Sequence, residues 1–131
     1  MTQPSDFIEI NRTLTQDEFN RFADLSGDDN PIHVDRDFSA RTSFGRTVSH
    51  GMLLYTILRG LAGRLAPGAR QVSQELMFPA PTFADEPIRF LARLEEQDGS
   101  HMRIAMRAEK VETEECVCDA SGVFSREEAP A

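Results

Sequence analysis

Between Ser26 and His33 the chain reads Ser-Gly-Asp-Asp-Asn-Pro-Ile-His, and this stretch holds the strongest candidates for chemistry. Asp28 and His33 lie five positions apart in a segment rich in Gly, Asn and Pro. Those residue types fix a backbone turn and make a rigid mount for reactive side chains. A carboxylate and an imidazole held together can serve as a general acid–base pair. Seventeen residues beyond His33 comes His50-Gly51, at the start of a strongly apolar run. If that run is a helix, its first amides have no internal partners and sit at the positive end of its dipole. The Gly51 N–H is then placed to steady charge developing on an oxygen. Singly, each residue has an ordinary explanation. Asp28, and Asn30 with Pro31, are common turn-formers, and a lone loop histidine such as His33 is unremarkable. Together with Gly51 they describe a site. His50 reads as a structural neighbour, Asp29 as solvated charge and His101 as a surface residue.

These residues need elements to hold them. Phe7 to Ile10 reads as a short strand. Thr15 offers an N-cap with Glu18 three residues on, a capping-box pattern that opens a helix through about Leu25. Ser26 to Pro31 is turn chemistry, and Phe38 to Phe44 has the makings of a short helical turn. The segment Gly51 to Leu65 is the clearest helix, apolar over most of its circumference except for Thr56, Arg59, Gly60, Gly63 and Arg64. Such a helix belongs at the centre of a fold, and Pro67-Gly68 stops it. The period then changes to two. Val72–Phe78 is a strand; so are the alternating stretches around Ile88–Glu95 and Met102–Glu109, joined by a hairpin turn at Asp98-Gly99; Cys116–Phe124 is the last. One short strand, one buried helix and four following strands make an α+β fold, a mostly antiparallel sheet wrapped around a central helix. That is the hot-dog architecture. Residues 1–131 read as one such domain, with about 126–131 a frayed tail.

Composition narrows the partners. The net charge is −8, from 22 acidic and 14 basic residues, which argues against nucleic acid or an anionic membrane. No run of apolar residues is long enough to span a membrane, and Met1 to Asn11 lacks a signal-peptide pattern, so the expected location is cytoplasmic. Cys116 and Cys118 are two apart, which on a strand puts them on one face as reduced core thiols rather than a disulfide. No metal site is expected.

The sequence Phe22-Ala23-Asp24-Leu25-Ser26-Gly27-Asp28-Asp29-Asn30-Pro31-Ile32-His33, followed by Val48-Ser49-His50-Gly51-Met52-Leu53, resembles the MaoC-like (R)-specific enoyl-CoA hydratases. Their motif reads S-G-D-x-N-P-x-H, followed by an H-G-M-L helix start. The similarity extends more weakly over nearly the whole chain, including Phe78-Pro79-Ala80-Pro81 to Asp85-Glu86. There the family has Gly-Asp where this chain has Ala84-Asp85, a departure that falls on a turn.

The resemblance implies a hydro-lyase acting on a 2-enoyl thioester, or its reverse, dehydration of a 3-hydroxyacyl thioester. Asp28 and His33 would hold and activate one water, the Gly51 amide would bind the thioester oxygen, and Asn30 would orient the Asp28 loop. Which of the pair donates the α-proton stays open. No cofactor is implied beyond the coenzyme A or acyl-carrier-protein thioester of the substrate. A homodimer is expected, because one sheet cannot cover so apolar a helix. At Arg59 some hydratases carry a small hydroxyl residue. The arginine either follows the polar stripe to solvent or an acidic neighbour, or turns inward to shape the acyl pocket or pair with a substrate carboxylate. Thioester hydrolysis and non-catalytic thioester binding are the competing functions on such a fold.

Overall fold

The period-two segments after residue 70 alternate as a half-buried sheet requires. In the computed structural model, which describes residues 6–127, they form β2 (Arg70–Met77), β3 (Pro87–Asp98), β4 (His101–Lys110) and β5 (Cys116–Ser125). With β1 (Phe7–Thr13) they make one five-stranded antiparallel sheet in the order β1-β3-β4-β5-β2. Ile88, Phe90 and Ala92 on β3, Met102, Ile104, Met106 and Ala108 on β4, and Cys118, Ala120 and Phe124 on β5 face inward and are buried. Arg89, Arg107 and Glu109 pair on the opposite face.

The inward face packs on α4 (Gly51–Leu65), whose bounds are those read from sequence. Leu54, Tyr55, Leu58, Leu61 and Ala62 are buried, while Met52, Thr56, Gly60 and Arg64 form an exposed row on the far side. The polar stripe is therefore offset from the expected one. Arg59 is half-buried, and Met52 takes an outer place at 46% exposure. The hot-dog expectation holds: the sheet curls over one central helix.

Three shorter helices lie between β1 and α4: α1 (Gln16–Ser26), α2 (Pro31–Val34) and α3 (Arg36–Ala40). The capping box opening α1 is present in full, with Thr15 accepting from the Glu18 amide and Glu18 accepting from that of Thr15. Asn30-Pro31, read as turn, is instead the N-cap and first residue of α2, a position proline suits because its missing N–H is not needed there. The short helix expected over Phe38–Phe44 begins earlier, where the Asp35 carboxylate caps the Phe38 amide.

The β3–β4 turn is displaced by one residue. Asp98 pairs with His101, so Gly99-Ser100 is the loop, and Gly99 takes the φ of 60° that a two-residue hairpin with glycine first demands. Asp85, at the departure from Gly-Asp, sits in a turn at φ 66°, a left-handed conformation that Asp tolerates better than most residues.

Two expectations need correction. Cys116 and Cys118 do not share a face: a register shift lets Cys118 pair with inward Ala108 and Cys116 with outward Glu109. Both are free thiols, and burial pushes that of Cys118 up to about 12. Arg126 and Glu127 are tied down rather than frayed, the first through its amide to the Ser100 carbonyl at 3.0 Å, the second as acceptor from the Ser100 hydroxyl at 3.0 Å. The rest of the expected tail, residues 128–131, and residues 1–5 of the stretch read for a signal-peptide pattern lie outside the described residues. Among the described residues no helix is long and apolar enough to cross a membrane.

Candidate active site

Asp28 is presented by the connection between α1 and α2. Gly27 ends α1 at φ 81°, turning the chain sharply away from the helix axis. Ser26 Oγ, which donates back to the Phe22 carbonyl, accepts from the Asp28 amide at 3.1 Å. Asn30 Oδ1 accepts from the Ile32 N–H at 3.1 Å, and the Asn30 N–H faces Asp28 Oδ1 at 3.5 Å. One residue thus shapes the Asp28 turn and starts the helix that carries His33.

His33 is fixed from the other side. Its Nδ1 lies 2.7 Å from the Val48 carbonyl oxygen. A carbonyl can only accept, so Nδ1 carries the proton, and in the neutral ring Nε2 keeps its lone pair. That Nε2 lies 3.8 Å from Asp28 Oδ2, with the two side chains 15% and 56% exposed. The separation exceeds a hydrogen bond. The residues around Val48 are themselves anchored, since the Val48 amide donates to Ile32 and that of Ser49 to Thr82 at 2.7 Å.

His50, next along this segment, is 2% exposed. Its Nε2–H donates to the Asp28 carbonyl at 2.8 Å, and its ring stacks on His33 at 3.9 Å between centroids, the planes inclined by 23°. Phe22 meets the same ring edge-on at 4.9 Å. The remaining nitrogen, Nδ1, is buried without a partner among the described residues. Desolvation, with the His33 charge as a smaller contribution, holds the imidazole below its ordinary value of 6.5; the Asp28 carbonyl and carboxylate oppose this only partly.

Gly51 then opens α4. Its N–H has no hydrogen-bond partner among the described residues, and His50 supplies no side-chain cap. The ring of Phe78 covers the glycine so closely that a β-carbon there would lie 2.7 Å from it. Four candidates therefore come together: Asp28, Asn30 and His33, with Gly51 following directly on His50.

Asp28, His33 and His50 each offer a metal-ligating atom within 4.8 Å of the others. Each imidazole has one nitrogen committed to a carbonyl, which leaves His33 Nε2 and His50 Nδ1 uncommitted.

Arg59 is not part of this cluster. It lies eight residues along α4 from Gly51, about 12 Å at the helical rise. Its Nε donates to Gln71 Oε1 at 3.0 Å, and its guanidinium carbon sits 4.7 Å from the centre of the Phe124 ring. Gln71 in turn donates to the Tyr55 hydroxyl at 2.8 Å.

Three participants escape a reading of the sequence in these roles: the Val48 carbonyl, the His50 ring and the Phe78 ring. A backbone carbonyl leaves no trace in residue types. His50 and Phe78 do leave one, as a histidine beside the helix-opening glycine and an aromatic before Pro79, but their partners are distant in sequence.

The chain is similar to several known proteins. A family model described as MaoC like domain matches residues 3–116. The (R)-specific enoyl-CoA hydratase of Aeromonas caviae is 41% identical over 73 residues, 54% of this chain and 54% of that protein. The 3-hydroxybutyryl-CoA dehydratase of Methylorubrum extorquens is 38% identical over 74 residues, 55% of this chain and 47% of that protein. The aligned segments thus span about half the length of these curated relatives. A solved structure, the (R)-hydratase from A. caviae involved in PHA biosynthesis, superposes with a TM-score of 0.84 at 26% identity, covering 91% of this chain and 92% of its own.

Proposed function

The chain belongs to the MaoC-like domain family, and from that premise we propose that it is a hydro-lyase adding water to the double bond of a 2-enoyl thioester, or removing it from a 3-hydroxyacyl thioester. The observation that carries the reading is the 3.8 Å gap between Asp28 Oδ2 and His33 Nε2. It is too long for a direct hydrogen bond and short enough for one water to touch both groups at about 2.8 Å. A water held so has its oxygen free to attack a β-carbon. As the carbon–oxygen bond forms, a water proton passes to one member of the pair and the double-bond electrons move toward the thioester oxygen. The unpartnered Gly51 N–H is suited to receive that oxygen as enolate character develops. A proton delivered to the α-carbon from the pair completes the addition, and the same steps reversed expel water.

Asn30 serves this chemistry by holding the Asp28 turn. The substrate is a coenzyme A or acyl-carrier-protein thioester, with Arg59 in contact with its acyl portion. The protein works as a homodimer through the open edge of β2, where Val72 is 48% and Met77 59% exposed, followed by Phe78 at 43%. An unpaired edge with apolar side chains is a template for another strand. Two free thiols fit the reducing cytoplasm.

Incubation with crotonyl-CoA tests the function. Loss of enoyl absorbance without release of free thiol is the expected result. Thiol release would make the protein a thioesterase. Neither change, across a panel of acyl lengths and branched and dicarboxylic acyl groups, would leave a non-catalytic thioester-binding subunit.

A further inference from the structure

The turn carrying Asp28 is held mostly by its own neighbours. Gly27 bonds to Ala23, Asp28 to Ser26, Asn30 to Asp28, and Ile32 and His33 to Asn30. Among the described residues, one hydrogen bond ties residues 27–30 to a distant part of the chain, that from His50 Nε2 to the Asp28 carbonyl at 2.8 Å. The ring that makes it also stacks on His33 at 3.9 Å. No other side chain among the described residues joins the two members of the pair in this way. We propose that His50 is a positioning residue, whose buried imidazole sets the distance and orientation of Asp28 relative to His33. The inference rests on the hydro-lyase reading of the site.

A histidine that merely filled space would be a poor occupant here. Its Nδ1 is buried with no partner among the described residues, a cost that an aromatic hydrocarbon ring of similar size would avoid. What the imidazole adds over such a ring is the Nε2–H directed at the Asp28 carbonyl. Donation from Nε2 also leaves Nδ1 as a bare lone pair in a dry environment. A second proton there would have no acceptor, so the His50 ring is suited to stay neutral during turnover. The arrangement gathers the machinery onto one short segment. Val48 holds His33 by its carbonyl, His50 holds Asp28 by its ring nitrogen, and Gly51 offers its amide, all within four consecutive residues. Asp28, His33 and the oxyanion donor are thereby referred to the same rigid start of α4.

Two substitutions separate the contacts. His50→Phe keeps a stacking ring and loses the donor; His50→Gln keeps an N–H donor at a similar reach and loses the ring. For folded His50→Phe, kcat on crotonyl-CoA should fall roughly ten- to a hundredfold, as expected for a reacting group shifted by about 1 Å, while KM stays within about twofold. His50→Gln should recover part of that loss. Amide hydrogen exchange over residues 27–30 should quicken in His50→Phe, a readout that needs no turnover. It separates failure of this inference from failure of the hydro-lyase reading, which an inactive wild type would signal. Wild-type kcat in folded His50→Phe, or unchanged exchange in that turn, would overturn the proposal. Should both variants fail to fold, nitrogen NMR of the wild-type imidazoles decides. An Nε2–H tautomer at His50 is required, and an Nδ1–H tautomer sinks the idea.

Discussion

His33 Nδ1 lies 2.7 Å from the carbonyl oxygen of Val48, and this contact fixes which nitrogen faces Asp28. Because Nδ1 is occupied as a donor, only Nε2 can exchange protons, and it is the nitrogen found 3.8 Å from Asp28 Oδ2. The tautomer is thus set by backbone.

From this pairing, Asp28→Asn and His33→Ala should each leave a folded protein and lower kcat by about two to four orders of magnitude, the range for positioned acid–base groups. In the proposed mechanism both groups act on one water, so the double variant should be scarcely worse than either single one. Circular dichroism with the crotonyl-CoA assay checks this. Near-wild-type turnover in either folded variant would remove that residue from the mechanism.

Gly51 and Phe78 make a second, steric prediction. A β-carbon at Gly51 would press on the Phe78 ring at 2.7 Å, yet that ring is 43% exposed and has room to swing. Gly51→Ala should therefore cost little in melting temperature. Turnover should fall by roughly ten- to a hundredfold, less than loss of an oxyanion donor outright, because the N–H remains but its approach is crowded. Adding Phe78→Ala should relieve the crowding and restore part of kcat. A Gly51→Ala variant that loses its melting transition but keeps its activity per folded molecule would contradict this.

Much of this architecture is legible from periodicity. The bounds of α4 emerge because its apolar positions are nearly continuous from Gly51 to Leu65, and Asp28 and His33 stand out through the turn chemistry around them. What stays hidden depends on contacts across long sequence separations. Sequence misplaces the stripe of α4 because Arg59 turns its side chain onto an amide and an aromatic face. It puts Cys116 on the wrong face because a register shift breaks strict alternation on β5. It shows His50 only as a neighbour because the partners of that ring are 22 residues away, at Asp28, and 17 away, at His33.

The lowered proton affinity of His50 makes acid stability depend on it. In the unfolded chain the imidazole takes up a proton as pH falls through 6.5, whereas the folded ring resists until lower pH. The unfolded state then binds more protons, so the stability associated with neutral His50 is complete above 6.5 and is lost progressively below it, down to the folded value. The ionisable groups acting on the ring are Asp28 and His33, which oppose one another. Urea midpoints between pH 7.5 and 5 should fall more steeply for wild type than for His50→Gln. Parallel curves would show that His50 takes no part in acid destabilisation.

Arg59 yields the last prediction. The residue is half-buried, yet no ion pair to it is present among the described residues. Nε is used by Gln71 and the plane lies near Phe124, while the terminal nitrogens carry no hydrogen bond there. An arginine cannot shed its charge, and an amide oxygen compensates it less well than a carboxylate. Those nitrogens are not buried, so they are open to an acidic group brought by the substrate. A dicarboxylic enoyl-CoA should be turned over with higher kcat/KM than crotonyl-CoA, and Arg59→Ser should reverse the order. The change should come chiefly from a roughly ten- to hundredfold loss on the dicarboxylic substrate, the scale of one charge-assisted hydrogen bond. Some thermal stability should go as well, because the arginine stem and the Phe124 contact are lost together. An identical substrate ranking in wild type and Arg59→Ser would leave Arg59 with a packing role alone.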